Sequence, residues 1–176
     1  MIRKVATVGL LSRGIPLRPS LRRARPVDYG FARRLCFTTM HDLVEQAVGW
    51  DEYWMDMNFA RQFVLSEVRI ITLNDRDIGW IQTQADHGVT IIQHFYIVPE
   101  QQGRGIGGTV LKQILAQARK RGKAVTLSVM KCNRARRFYE KHGFRLTHEG
   151  THEIYMRFEP KHSLRGIGPS MGMRRG

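Results

Sequence analysis

VPEQQGRGIGG, residues 98–108, stands between two segments of different periodicity. Before it, Val89-Thr90-Ile91-Ile92-Gln93-His94-Phe95-Tyr96-Ile97-Val98 is rich in β-branched and aromatic residues, the composition of a strand. After it, Ile106, Val110, Ile114 and Ala118 recur every fourth residue, joined by Leu111 and Leu115, until Gly122 ends the pattern. That is the buried stripe of a helix. Gly103, Gly105, Gly107 and Gly108 therefore sit where a strand hands over to a helix N-terminus. The first N–H groups of a helix lack partners within it, and the positive end of its dipole lies there, so such a place accepts an anion. Glycine lets the backbone close on a phosphate with no side chain in the way. A bare turn needs neither four glycines nor two glutamines, and the stretch predicts an anion-binding loop.

Two nucleotide motifs compete for that loop. Gly103-Arg104-Gly105-Ile106-Gly107-Gly108 matches G-x-G-x-x-G. The dinucleotide fingerprint also needs an acid about twenty residues on, at the end of the next strand. Here that neighbourhood reads Val129-Met130-Lys131-Cys132-Asn133, although the lysine would suit a 2′-phosphate. Pro99-Glu100-Gln101-Gln102 also separate the strand from the first glycine, and the chain after residue 123 has room for only one more strand–helix–strand. A P-loop fails because no Gly-Lys-Ser/Thr follows.

The chain has 176 residues, enough for one domain with a proper core. A hydrophobic fraction of 42% and a charged fraction of 25% are those of an ordinary globule, and no stretch approaches the roughly twenty apolar residues of a membrane span. Cys36 and Cys132 form no C-x-x-C, which points to a reducing compartment without a disulfide framework. Of the net charge of +14, the acid-free ends carry eight: Arg3, Lys4, Arg13 and Arg18 at one, Lys161, Arg165, Arg174 and Arg175 at the other. The remaining +6 on residues 21–160 suits a polyanionic ligand without demanding nucleic acid. Residues 1–20 read as a disordered basic extension, or as a mitochondrial presequence by their arginine-containing, acid-free composition. Residues 160–176 read as a disordered basic tail. A cytoplasmic location follows from the first option and the mitochondrial matrix from the second.

Between the tails, Leu21–Pro26 is extended, and Asp28 is positioned to cap a helix carrying Phe31, Leu35 and Cys36. A second helical stretch past Gly49 carries Trp50, Tyr53, Trp54, Met57 and Phe63, at the spacing of a core stripe, or in part of a cleft wall. Val68–Leu73 and Ile78–Thr83 read as strands joined at Asn74-Asp75-Arg76-Asp77, a turn by its residue types. Val125–Met130 alternates as a strand, Arg134–His142 is a short helix stopped by Gly143, and Phe144–Phe158 holds the last strands, split near Gly150.

In this order of elements, Gln102-Gly103-Arg104-Gly105-Ile106-Gly107 fits the Q/R-x-x-G-x-G/A loop of the GNAT superfamily of acetyl-CoA-dependent N-acetyltransferases. Asn133-Arg134-Ala135-Arg136-Arg137-Phe138-Tyr139-Glu140-Lys141-His142-Gly143-Phe144 is similar to its second signature. The chain resembles that superfamily over residues 21–159, with the Asn133-to-Tyr139 spacing one shorter than is common there. A branch with this spacing also resembles it at Gly49–Glu52. The resemblance implies an α+β (mixed α/β) fold: a central mixed, mostly antiparallel twisted sheet with a splayed parallel strand pair, flanked by helices.

The resemblance further implies a function, transfer of the acetyl group of acetyl-CoA to a primary amine of a small molecule or a protein by direct attack in a ternary complex. By analogy, the pantetheine arm pairs with the backbone of Ile97 and Val98, and the pyrophosphate rests on Gln102, Gly103, Arg104, Gly105, Ile106, Gly107 and Gly108. Asn133 and Arg137 complete the cofactor set. Tyr139 occupies the place of the general acid that protonates the leaving thiolate, which predicts an alkaline limb in the rate profile. Where the family often places a basic carboxylate, this strand has Gln93 and His94, of which alternation turns only one toward the cleft. Glu45, Asp51, Glu52 and His152 are further polar candidates. No metal is expected, since His148-Glu149-Gly150-Thr151-His152 has ligand spacing only on a helix, and Gly150 interrupts one. The expected partners are acetyl-CoA and an amine, with homodimerisation open. The rival class is a non-catalytic acyl-CoA-binding or basic nucleic-acid-binding module.

Overall fold

The computed structural model describes residues 18–160. Of the expected disordered ends, residues 1–20 and 160–176, all but 18–20 and 160 lie outside the described residues, and Ser20 is not disordered but opens the first strand, paired with Thr72. The chain order is β1 (Ser20–Arg23), α1 (Tyr29–Val48), α2 (Glu52–Gln62), β2 (Val68–Leu73), β3 (Arg76–Asp86), β4 (Val89–Ile97), α3 (Ile106–Arg121), β5 (Ala124–Met130), α4 (Ala135–Lys141), β6 (Arg145–Glu149) and β7 (Glu153–Phe158). One seven-stranded sheet has the order β1-β2-β3-β4-β5-β7-β6. Only β4 and β5 are parallel. This is the mixed, mostly antiparallel α+β architecture expected.

Local chemistry explains most boundaries. Asn74 and Asp75 both have positive φ, 49° and 61°, and close the β2–β3 hairpin as a two-residue turn whose twist matches the strands. β3 runs to Asp86, beyond the stretch legible from alternation, because it pairs with β4 as far as Val89. Asp51 caps α2, its carboxylate accepting from the Trp54 amide at 2.8 Å. Asp28 precedes α1 but does not cap it. Its buried carboxylate accepts two bonds from Arg22, at 2.7 and 2.8 Å, and one from the Arg25 amide at 2.7 Å. Arg22 reaches on to Asp77, tying β1 and the α1 entry to the β2–β3 hairpin.

Alternation sorts the sheet's side chains onto two faces. On one, Ile81, Ile92, Leu127, Val129, Ile154 and Met156 pack with Leu111 and Leu115 of α3 and with Tyr139 and Phe144. On the other, Val68, Ile70 and Trp80 pack against Ala32, Leu35 and Cys36 of α1 and Phe59 of α2. The helical pair covers only the β2–β4 side of that second face, and the uncovered remainder is the floor of a cleft.

Candidate functional site

The cleft begins where the parallel pair comes apart. β4 and β5 are in register from Val89↔Ala124 to Ile92↔Leu127 and no farther. At that point β4 carries a bulge: Gln82 faces His94 while Thr83 faces Ile92, leaving Gln93 as the extra residue. A bulge increases local bend and twist, and it swings the second half of β4 away from β5. The Val98 amide donates to the Ile78 carbonyl of β3 at 2.8 Å. Alternation then points the peptide groups of Phe95 and Ile97 toward the gap. Val98, expected to offer its backbone there, is turned to β3 instead, and Phe95 joins Ile97 in its place. The Ile97 carbonyl accepts from Gln102 Nε2 at 2.7 Å, which anchors the glycine loop to the end of the strand.

The loop has the geometry of an anion cradle. A 3-10 turn at Pro99–Gln101 leads to Gly103 and Gly105, at φ of 71° and 79°, and Gly105 is the N-cap of α3. No side chain caps that terminus, so the first-turn N–H groups face outward with their dipole. A Cβ at Gly103 or Gly105 would meet nothing within 4 Å, so the space in front of these amides is open. Gly107 is close-packed, its missing Cβ 3.4 Å from Ile97 Cδ1, and Gly108 lies under His142. A pyrophosphate group fits this donor set. The Arg104 guanidinium turns aside to Gln101 Oε1 at 2.6 Å, and Arg137 is exposed on α4 outside the cleft lining. Neither residue lines the cleft.

Gln102, Gly103, Gly105, Gly107 and Asn133 lie along one cleft of about 1580 Å³ with Gln93, His94, Ile97 and Tyr139. Asn133 Oδ1 accepts from the Ala135 amide at 2.8 Å and so caps α4, leaving its amide nitrogen for the cleft. Tyr139 is buried against Phe138 and Phe144, with ring centroids 5.1 and 5.5 Å away. Burial pushes its phenol above the usual value of 10, which keeps it protonated. His94 is half-buried between Trp80 and Tyr96, its Nδ1 3.4 Å from the Tyr96 hydroxyl. Burial lowers its pKa to about 4, so the imidazole is neutral near pH 7.

The family model described as the acetyltransferase (GNAT) domain matches residues 61–146. Those residues have the pattern of a GNAT acetyltransferase domain. The matched span begins at the end of α2 and runs past the glycine loop and Tyr139 into β6. Among solved structures, the domain is similar to the paia N-acetyltransferase of Thermoplasma acidophilum, in complex with coenzyme A, at a TM-score of 0.67 and 19% identity. That match covers 81% of this chain and 99% of the other. The ribosomal-protein-S18-alanine N-acetyltransferase of Escherichia coli matches at 0.57 and 20% identity, over 88% and 100% of the two chains. The N-acetylglutamate synthase of Neisseria gonorrhoeae, complexed with coenzyme A and N-acetyl-glutamate, matches at 0.57 and 16% identity, over 81% of this chain and 35% of that one. Likeness at this identity establishes the fold. No curated protein sequence matches.

The cleft has a second wall, built in part on the helical stretch that the sequence offered as either core or cleft. Met40, Val44 and Val48 of α1 and Trp54, Met55 and Phe59 of α2 line it, facing His148, His152, Glu153 and Tyr155 of the β6–β7 hairpin. Of the helical aromatics, Trp54 serves the cleft, whereas Phe63 packs on Tyr29 and Trp80. Glu45 accepts from the Trp50 amide at 2.6 Å and Glu52 pairs with Arg33 at 3.6 Å, so both have local structural duties. His148 stacks on Tyr155, 4.2 Å between centroids, as a hairpin residue. Glu67 had no sequence signal: it lies in a 3-10 turn just before β2, yet it lines the cleft beside Gln93.

Proposed function

We propose that this GNAT domain transfers the acetyl group of acetyl-CoA to a primary amine of a small molecule or a protein, by direct attack while both are bound. One observation carries the reading: the splayed gap joins a helix-N-terminal phosphate cradle to a buried, protonated phenol. Bound acetyl-CoA would supply an activated acetyl group as a thioester. The first-turn amides of α3 and the loop glycines hold the pyrophosphate. The Phe95 and Ile97 peptide groups and the Asn133 amide nitrogen align the pantetheine arm along the open edge of β4. Tyr139 holds a proton for the leaving sulfur, and its raised pKa keeps that proton available throughout the neutral range. The acceptor enters between the α1–α2 wall and the β6–β7 hairpin.

The test is thiol release from acetyl-CoA across a panel of alkylamines, polyamines, amino acids and peptides, with acetylated product identified by mass. The expected result is amine-dependent thiol release. Coenzyme A binding with no transfer to any amine would leave only an acyl-CoA-binding module.

A further inference from the structure

Gln82 is fully buried in β3, opposite His94 of β4. Its Nε2 lies within hydrogen-bond distance of three acceptors: the Gln62 carbonyl at 2.8 Å, Glu67 Oε2 at 3.1 Å and Gln93 Oε1 at 2.6 Å. A carboxamide nitrogen carries two protons, so one acceptor always goes without. The amide's own oxygen is buried with no donor among the described residues. Turning the amide over would set that oxygen against the Gln62 carbonyl and the Glu67 carboxylate, which is worse. Three acceptors thus compete for two protons and the amide's own oxygen has none, whereas buried polar atoms generally find partners; the Thr39 hydroxyl and the Trp80 indole N–H are the other buried exceptions among the described residues. Gln62, Glu67 and Gln93 all line the cleft, so a missing donor reaches them from solution. Gln93 is the bulge residue at the mouth of the splayed gap. A primary ammonium group carries three N–H donors and a positive charge, and Glu67 forms no ion pair among the described residues.

We propose that Gln62, Glu67 and Gln93, held in place by the buried Gln82 amide, form the subsite for the acceptor's primary ammonium group, and that Glu67 is the base that takes its proton. This rests on the acetyltransferase reading. An N–H bond of the ammonium breaks and its proton passes to the Glu67 carboxylate, which leaves a lone pair on nitrogen. That pair forms the new C–N bond to the thioester carbonyl carbon while the C–S bond breaks. The sulfur gains a proton from Tyr139, and the second proton shed by nitrogen restores the phenol, so one proton leaves through Glu67 to water. The other titratable groups around Glu67 are Arg61 of α2, Arg69 of β2, turned to the Ser66 and Val68 carbonyls, and His94, which is neutral above about pH 4.

The experiment pairs binding with catalysis. Titration with n-butylammonium chloride should raise the melting temperature, and tetramethylammonium chloride, with the same charge and no N–H donor, should not. Glu67→Gln should lower kcat/KM for the amine on the order of a hundred- to ten-thousand-fold. It should also flatten the acidic limb of the rate profile and leave the thermal shift caused by coenzyme A unchanged. Glu67→Asp should restore part of the rate together with that limb. Gln82→Leu should raise KM for the amine about tenfold or more while changing kcat less. An equal shift from both ammonium salts, or wild-type rate and profile in Glu67→Gln, overturns the subsite and leaves the acetyltransferase reading standing. A wild-type protein that acetylates no amine overturns both.

Discussion

Replacing Gly105 by leucine separates the phosphate cradle from the backbone that builds it. Gly105 stands at φ 79° with no heavy atom within 4 Å of a built Cβ. The cost to the free protein is therefore the left-handed conformation alone, about 1–2 kcal/mol. For a domain near this size each kcal/mol moves the melting temperature by about 2–4 °C, so the free variant should melt about 2–8 °C lower. In the wild type, coenzyme A at a hundred times its Kd should add about 2.7 kcal/mol, or roughly 5–11 °C. In Gly105→Leu the side chain occupies the approach to the first-turn amides, and that increment should nearly vanish. Gly122, at the other end of α3, supplies the control. It too has positive φ, 63°, and open space at its Cβ. Gly122→Leu should melt lower by a similar amount and keep the full shift with coenzyme A. Differential scanning calorimetry with and without coenzyme A reads both numbers. Equal shifts in the two variants would refute the cradle, and so would a larger wild-type shift from a nicotinamide dinucleotide.

Tyr139→Phe keeps the ring contacts with Phe138 and Phe144, so stability and coenzyme A affinity should hold while turnover falls about ten- to ten-thousand-fold. Because burial holds the phenol above pH 10, an alkaline limb near neutrality belongs to another group and should survive the substitution, contrary to the expectation from sequence. Steady-state rates against pH decide this, and wild-type turnover in the variant would reduce Tyr139 to packing. His94 should make the fold acid-sensitive, because the unfolded chain binds a proton near pH 6.5 and the folded one only near 4. Its contribution to stability is complete above pH 6.5 and is lost as pH falls toward 4. Urea midpoints at pH 7 and 4.5 should differ less in His94→Gln, and an unchanged difference would count against a neutral buried imidazole.

What the sequence by itself determined lies within single elements. The alternation of β4, the four-residue stripe of α3 and the glycines between them place a helix N-terminus after a strand, because periodicity and φ requirements act over a few neighbouring residues. Asn74-Asp75 announced its hairpin turn for the same reason. Tertiary structure decided everything that depends on register. The bulge at Gln93 is not a property of Gln93. It arises because β4 must meet β3 on both sides of one extra residue, and it determines where the parallel pair parts and which peptide groups, those of Phe95 and Ile97 and not Val98, face the gap. Asp28 has the residue type of a cap, but a guanidinium six positions earlier comes within 2.7 Å and claims it. Arg137 has the charge for a phosphate but is exposed on α4 outside the cleft lining. Glu67 and Gln82, fifteen residues apart, meet only when the start of β2 and the middle of β3 are laid side by side under the end of α2. No local pattern encodes such a meeting, because it is produced by strand pairing and helix packing acting together on residues whose own neighbours give no sign of it.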